Sequence, residues 1–288
     1  MNRRLRYQIY GILFQTLCLA ANASALGFLA YLLFDIGSSG WKGLNWNFLT
    51  AYPSSNPGSA GILSAIVGTF YSMLITAAFA IPMGIGAAVY LEEYARNTRA
   101  VRFIKLNIQN LAGVPSIVYG ILGLTIFVRA MFLGRSILAG SLTMAILILP
   151  IITIATQESL RAVPDSFRLA GYGIGMTRWQ VVRYQVLPVS MPGILTGIIL
   201  SLSRAIGESA PLILIGAMTF VPFLPANPLD SFTVLPIQIY NWTGRPQKAF
   251  HDLSASGIIV LLVMLLILNA ASYILRNYFQ KQLKVLNR

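Results

Sequence analysis

Two ionisable residues, Arg204 and Glu208, stand inside a strongly apolar segment that covers residues 192–218. Because they are four residues apart, a continuous helix would put them on one face, where they can form an ion pair. Ser201 would lie on the same face and add a hydroxyl group. A charge at the middle of a bilayer costs about 2.5–3.5 kcal/mol on insertion scales, so such side chains face protein or a water-filled cavity.

One function that this pattern suits is the passage of an oxyanion across the membrane. The guanidinium of Arg204 matches oxyanion geometry and would lower the barrier for a crossing anion. Glu208 would hold Arg204 in place and compete with the anion for it, which keeps binding weak enough for release. The alternative is an ion pair that only joins helices, and the residue types alone do not decide between the two.

The segment 163–188 is polar, contains several glycines and lies between two apolar segments. Pro164 at the first helical position and Asp165 in the first turn predict the start of a short helix. Glycines then weaken and end this helix, and Gly175 is predicted to be its left-handed cap.

A second short helix is predicted directly after the first. Thr177, three residues before Gln180, has the pattern of a capping box. The pair Leu187-Pro188 is predicted to stop this helix before Pro192 opens the next membrane span. A simple connector needs only a few residues, so a capped loop of this length favours a docking surface over a solvated linker.

The elements that carry these residues are predicted to be membrane-spanning helices. The chain of 288 residues is 56% hydrophobic and 10% charged, whereas a soluble domain is about 25% charged. Its apolar runs are long enough to cross a bilayer, so the predicted fold class is an all-α membrane protein. The six predicted spans lie near residues 10–34, 62–91, 108–127, 136–156, 192–218 and 254–275.

Basic residues cluster at both termini and in the connections after the second and fourth spans. The positive-inside rule places these segments, and therefore both termini, in the cytoplasm. Because the basic residues flank apolar runs and form no single patch, the net charge of +13 does not indicate nucleic-acid binding. Residues 3–25 resemble a secretory signal peptide, but the apolar stretch continues to residue 34, so we expect the first helix to be retained.

The sequence contains no motif for nucleotide or metal chemistry. It has no Gly-x-x-x-x-Gly-Lys-Ser/Thr phosphate loop, no His-Glu-x-x-His motif and no paired-cysteine motif. Cys18 and His251 are the only residues of their types. We therefore expect no catalysis, no bound metal and no cofactor in this chain.

The polar loop resembles the cytoplasmic coupling loop of ABC-importer permeases. The pattern of that loop is Glu-Ala-Ala, three residues, Gly, nine residues, Ile, any residue and Leu-Pro. The positions that match it are Ala170, Gly175, Leu187 and Pro188. The positions that depart from it are Leu169, Gly171 and Gln185. The resemblance implies that the loop docks on an ATPase through Pro164, Arg168, Leu169, Ala170, Gly171, Gly175, Leu187 and Pro188.

A narrower resemblance links the chain to phosphate-importer permeases of the PstA type. Residues 203–212, Ser-Arg-Ala-Ile-Gly-Glu-Ser-Ala-Pro-Leu, are similar to the run ARAxGETAPL of those permeases. Residues 232–242 resemble their last outer loop, and residues 89–94 and 113–120 also fit. The coupling loop indicates only the superfamily, whereas 203–212 and 232–242 point to phosphate.

The resemblance implies a type I ABC-importer permease fold of six transmembrane helices with a cytoplasmic coupling helix, in the bacterial plasma membrane. It divides the chain into an N-terminal helix and outer loop (1–61), a permease domain (62–276) with its coupling loop (157–191), and a cytoplasmic tail (277–288). The implied function is ATP-driven import of inorganic phosphate by a non-catalytic subunit. The implied partners are a sister permease of the PstC type, two copies of an ATPase of the PstB type that bind ATP and Mg²⁺, and an external phosphate-binding protein of the PstS type.

Three other functions stay open at this point. The same architecture would serve sulfate, molybdate or tungstate, which anion competition distinguishes. An autonomous channel would be isolated as a homo-oligomer without an ATPase. An intramembrane enzyme would need a nucleophile or metal cluster inside the spans, and the sequence offers none.

Overall fold

The computed structural model describes residues 3–218 and 220–286, and within them it contains helices and no strand. The helices of the first half are α1 (Arg3–Gly40), α2 (Trp46–Thr50), α3 (Leu63–Val89), α4 (Arg99–Ala112), α5 (Ser116–Gly123) and α6 (Ile137–Arg161). Those of the second half are α7 (Asp165–Gly173), α8 (Arg178–Val181), α9 (Leu187–Ile206), α10 (Ala210–Ile215), α11 (Leu235–Thr243) and α12 (Lys248–Leu286).

Short irregular segments continue or connect these helices. The 3₁₀ turns are Trp41–Gly43 and Pro57–Ser59. The π-helical segments are Tyr90–Tyr94 after α3, Leu124–Ala130 after α5 and Val182–Val186 between α8 and α9.

The prediction of six spans in an all-α membrane protein is confirmed. Five helical stretches among the described residues are long and apolar enough to cross a bilayer: Tyr10–Gly43, Leu63–Tyr94, Ile137–Arg161, Arg178–Ile206 and Lys248–Ile274. The count reaches six when the bent pair Arg99–Ala112 and Ser116–Ala130, with 103° between the two helices, is taken as one broken span.

The third span therefore differs from the straight helix predicted over 108–127. Pro115 lacks an amide hydrogen and disfavours helical backbone at Val114. Its own backbone is extended, with φ −55° and ψ 136°. The chain turns sharply here, and α4 and α5 become separate helices.

The fifth span differs from its prediction at both ends. Leu187-Pro188 does not stop the helix, because the amide of Leu187 bonds to the carbonyl of Val182, five residues back, and this π-helical turn carries the chain into α9. At the other end, α9 ends at Ile206 and a new helix starts at Ala210. Pro211 in the first turn of α10 cannot donate to the preceding turn, so one continuous helix over 192–218 does not form.

Small residues line the buried face of α3, and most of this face packs against α6. They recur every four residues along α3 and are all buried: Ser64, Gly68, Ser72, Thr76, Ala80, Gly84 and Ala88. The hydroxyl of Ser141 lies 3.3 Å from that of Ser72, and the hydroxyl of Thr76 donates to the carbonyl of Ser141 at 3.1 Å. Such a stripe lets two backbones approach, which is how membrane helices associate where both lipid and protein are apolar.

Basic side chains gather at one end of the bundle, which we call the basic end. They follow α3, lie on α4 and occupy the connection between α6 and α9: Arg96, Arg99, Arg102, Lys105, Arg161, Arg168, Arg178 and Arg183. The side chains of the terminal basic residues Arg3, Arg4, Arg6, Lys281, Lys284 and Arg288 lie outside the described part of the chain. At the opposite end, α1 meets α12 where the Ser256 hydroxyl donates to the Gly40 carbonyl at 2.8 Å.

Candidate transport path and docking surface

Arg204 lies near the middle of the bundle. Helix α9 runs antiparallel to α6, with Gly193 against Ser159 and Gly197 against Ala155. The two glycines form a small-xxx-small pair, which lets the backbones of α9 and α6 approach closely. The same register places Arg204 roughly opposite Ile148, near the centre of the 25-residue helix α6.

The side chain of Arg204 faces away from the body of the chain. It is exposed, whereas its neighbours Ala205 and Ile206 are buried. Among the described residues it has no hydrogen-bond or ion-pair partner. A cation at this depth needs water, an anion or another protein surface beside it.

The predicted ion pair between Arg204 and Glu208 is absent from the described structure. Helix α9 ends at Ile206, so the four-residue spacing does not place the two side chains on one helical face. Glu208 instead accepts a hydrogen bond from the Ser116 hydroxyl, with 2.9 Å between Oγ and Oε1. Its amide donates to the carbonyl of Ala205 at 3.1 Å.

Two helix breaks therefore meet at one hydrogen bond. Ser116 is the first residue of α5, directly after the bend at Pro115, and Glu208 lies between α9 and α10. The contact is close on both sides, because Gly120 of α5 lies against Pro211 of α10. Discontinuous helices that meet at mid-membrane commonly form transport sites. Ser116 was not among the residues singled out from the sequence for this path.

Ser201 does not share the exposed face of α9 that carries Arg204. Its side chain is fully buried, and its hydroxyl donates to the carbonyl of Gly197 at 2.8 Å. Ser203, one residue before Arg204, donates to the amide oxygen of Asn269 on α12 at 2.7 Å. Both serine hydroxyls therefore donate their hydrogens to partners within the chain.

The polar loop forms a compact pair of helices at the basic end. Gly175 has φ +81°, and its amide bonds to the carbonyl of Tyr172 while that of Met176 bonds to Gly171. This is a Schellman cap, so the predicted left-handed glycine is confirmed. Pro164 precedes the first helical residue, with ψ 142°, and is not inside the helix as predicted.

The second helix of the loop begins as predicted. The amide of Gln180 bonds to the hydroxyl of Thr177 at 3.4 Å, and the Gln180 side chain accepts from the Thr177 amide at 2.8 Å. Both bonds of the capping box are present, so α8 starts at Arg178.

The loop presents an apolar surface to solvent. Of the predicted coupling residues, Pro164, Leu169, Ala170 and Gly175 are exposed. Gly171 is buried against Val181, and Arg168, Leu187 and Pro188 are partly buried at the junction with the bundle. Large exposed apolar side chains complete the surface, namely Leu169, Tyr172, Ile174 and Trp179. The last three were missed from the sequence, although apolar residues in so polar a loop are the signal that identifies them.

Ion pairs attach this loop to the bundle. Arg168 bonds to Glu93 with 2.7 Å between Nη2 and Oε1. Glu92 bonds to both Lys105 and Arg161 at 2.8 Å. The hydrogen bond from Glu93 raises the pKa of the Arg168 guanidinium, although burial acts in the opposite direction. Neither glutamate was predicted to belong to the site.

Residues 80–285 match the family described as "Binding-protein-dependent transport system inner membrane component". The chain belongs to this family. It is therefore a multi-pass membrane permease of a binding-protein-dependent transport system, and this agrees with the six-span fold.

Relatives of known sequence are also permeases. The chain is 30% identical over 296 residues to the probable ABC transporter permease protein YqgI of Bacillus subtilis, covering 98% of this chain and 99% of YqgI. It is 31% identical over 247 residues to the phosphate transport system permease protein PstA 1 of Mycobacterium tuberculosis, covering 84% and 78%. For the Yersinia pestis PstA the identity is 31% over 256 residues, covering 88% and 85%.

Solved transporter structures share the fold. The chain superimposes on a bacterial ABC transporter that imports alginate with a TM-score of 0.67 at 15% identity, covering 94% of this chain and 99% of that one. For the MetNI methionine ABC transporter the TM-score is 0.58 at 17% identity, covering 76% and 94%. These likenesses support the type I ABC-importer fold predicted from the sequence.

Proposed function

We propose that this permease carries inorganic phosphate across the bacterial plasma membrane in an ATP-driven importer. The observation that carries the proposal is the position of Arg204, which is exposed and without a described partner in the last turn of α9, near the middle of the bundle. The relatives named as phosphate permeases support the choice of substrate.

An oxyanion can supply the partner that the exposed guanidinium of Arg204 needs at this depth in the membrane. The guanidinium offers donors in a planar fork that fits a phosphate or a related tetrahedral anion. Glu208, fixed by Ser116, lies two residues beyond the end of α9 and adds negative charge near the path. That charge disfavours long residence of an anion, so binding stays weak enough for release.

The exposed face of α9 implies a second permease. We propose a sister subunit of the PstC type that covers Arg204 and encloses the path between the two chains. In this arrangement Arg204 lines a shared cavity, while Ser201 supports α9 from inside the chain.

The loop at the basic end is proposed to dock on an ATPase of the PstB type, present in two copies. Its exposed apolar side chains, above all Leu169 and Ile174 at 69% and 74% exposure, suit a protein interface. ATP and Mg²⁺ belong to that subunit, and we propose no cofactor and no catalysis in this chain. The basic end and both termini then face the cytoplasm, and the opposite end receives a phosphate-binding protein of the PstS type.

Uptake of labelled phosphate tests the proposal. Cells that lack the gene are compared with cells in which it is restored, in the presence of excess unlabelled sulfate or molybdate. We expect restored uptake that neither anion inhibits. Uptake of labelled sulfate or molybdate, with no change for phosphate, would replace the substrate but keep the importer architecture.

A further inference from the structure

One arginine joins the docking loop to the ends of two membrane spans. Arg168 lies in α7, and its guanidinium contacts Glu93 in the π-helical turn that ends the second span. The Nε and Nη2 atoms approach the carboxylate at 3.3 Å and 2.7 Å. The side chains of Arg168 and Glu93 are only 18% and 7% exposed, so the pair is shielded from water.

The same guanidinium also binds the end of α6 and the turn that follows it. Its Nη1 donates to the carbonyl of Val163 at 2.9 Å and its Nη2 to that of Leu160 at 3.0 Å. A further bond from Nη1 to Asp165, at 3.2 Å, stays within α7. Arginine has five N–H donors, and these contacts account for all of them. The side chain is therefore fixed in one orientation.

A second glutamate extends the attachment. Glu92 accepts from Lys105 of α4 and from Arg161 at the end of α6, both at 2.8 Å. The adjacent carboxylates of one turn thus tie together α3, α4, α6 and α7. A cluster of buried apolar side chains lies beneath them, including Val89, Leu160 and Val181.

We propose that Glu93 is a positioning residue for energy coupling, because its bond to Arg168 makes α7 and the ends of α3 and α6 move as one body. The proposal rests on the function proposed above, in which α7 docks on the ATPase. A displacement of α7 is then transmitted directly to the ends of α3 and α6. Lysine in place of Arg168 would keep the charge but offers only three donors on one atom and cannot bridge all three elements.

A buried ion pair is suited to this task. Its desolvation offsets much of its attraction, so it adds little net stability compared with apolar packing, which Val89 and Leu160 already supply. Its effect is to fix the orientation of the groups that it joins. Loss of the pair should therefore change coupling more than it changes folding.

The test uses the assembled transporter in proteoliposomes, with binding protein outside and ATP inside. The variants are Glu93→Gln and the double variant Glu93→Gln with Arg168→Gln. The double variant leaves no buried unpaired charge, since the remaining partner Asp165 is 88% exposed, and it decides the test if the single variant fails to assemble. The matched control is Glu158→Gln, since Glu158 is 64% exposed and pairs with Arg161 within α6. We expect at least a threefold rise in ATP hydrolysed per anion transported for both test variants, and none for the control.

A second readout measures the attachment itself. Spin labels are placed on Ser166→Cys in α7 and on Asn97→Cys after the second span, both exposed positions, with Cys18→Ser removing the native thiol. We expect a narrow distance distribution that broadens in the Glu93→Gln transporter. An unchanged stoichiometry together with an unchanged distribution in both test variants would overturn the proposal.

Failure of the proposed function is distinguishable from failure of this inference. If the transporter carries another oxyanion, the stoichiometry is measured with that anion and the comparison stands. If no anion moves, the function fails, and the spin-label distances still decide whether Glu93 holds α7 to the spans.

Discussion

Replacement of Arg204 by glutamine removes one charge near the middle of the bundle and keeps a polar, though shorter, side chain. A unit charge 4 Å from an anion contributes about 1 kcal/mol at the dielectric constant of water and about 4 kcal/mol at an effective value of 20. Arg204 is exposed in the single chain, but the proposed sister permease would enclose it, so the loss lies between these limits. A rise of roughly 2–4 kcal/mol in the free-energy barrier for translocation corresponds to a fall in the transport rate of about 30-fold to 1,000-fold.

The assay is initial phosphate uptake by cells that produce equal amounts of each variant in the membrane. Arg204→Lys keeps the charge but loses the planar fork, so its uptake should lie between those of Arg204→Gln and the natural protein. Arg129→Gln is the matched control, because Arg129 is also exposed but lies at the end of a span. Uptake within a factor of two of the natural protein in an assembled Arg204→Gln transporter would refute the role of this side chain.

Four further substitutions test three separate parts of the structure. Ser116→Ala removes the hydrogen bond to Glu208, and we expect a several-fold fall in uptake with normal assembly; equal uptake would show that the bond has no role in transport. Gly175→Val puts a β-branched residue at a positive φ in the Schellman cap, so ATP hydrolysis should lose its link to transport, and coupled transport in this variant would contradict the docking role. Gly84→Ala places a methyl group against the Ile152 side chain and should lower the melting temperature of the purified protein. Gly86→Ala in the same helix meets open space and should raise it slightly; the opposite order would refute the packing.

Local chemistry made part of this structure predictable. The left-handed conformation of Gly175 and the capping box at Thr177 depend on residues within one helical turn, so the sequence pattern was sufficient for both. The close packing of Gly193 and Gly197 against α6 likewise follows from their size and their four-residue spacing.

The helix breaks were not predictable by the same means. The stretch 192–218 is strongly apolar on average despite Arg204 and Glu208, and its hydropathy does not reveal that the helix stops at Ile206 and restarts at Ala210. The partners that define the sites are also distant in sequence, with 92 residues between Ser116 and Glu208 and 75 between Glu93 and Arg168. Such pairs form only when the spans pack against one another, so they cannot be predicted from the spacing of residues within one segment.

The π-helical turn Val182–Val186, which replaces the predicted helix end at Leu187-Pro188, also connects the docking loop to Arg204. Residues Arg178–Ile206 form one span, which begins in the docking loop and ends two residues after Arg204. At about 1.5 Å per residue, the path from α8 to Arg204 is roughly 39 Å of helix. Helix α7 is held to α3 and α6 by Arg168, whereas α8 is continuous with α9. A movement of the docking loop would therefore displace Arg204 through α9. The same movement would displace α3 and α6 through the ion pair between Arg168 and Glu93. If the two displacements differ, the surroundings of Arg204 change.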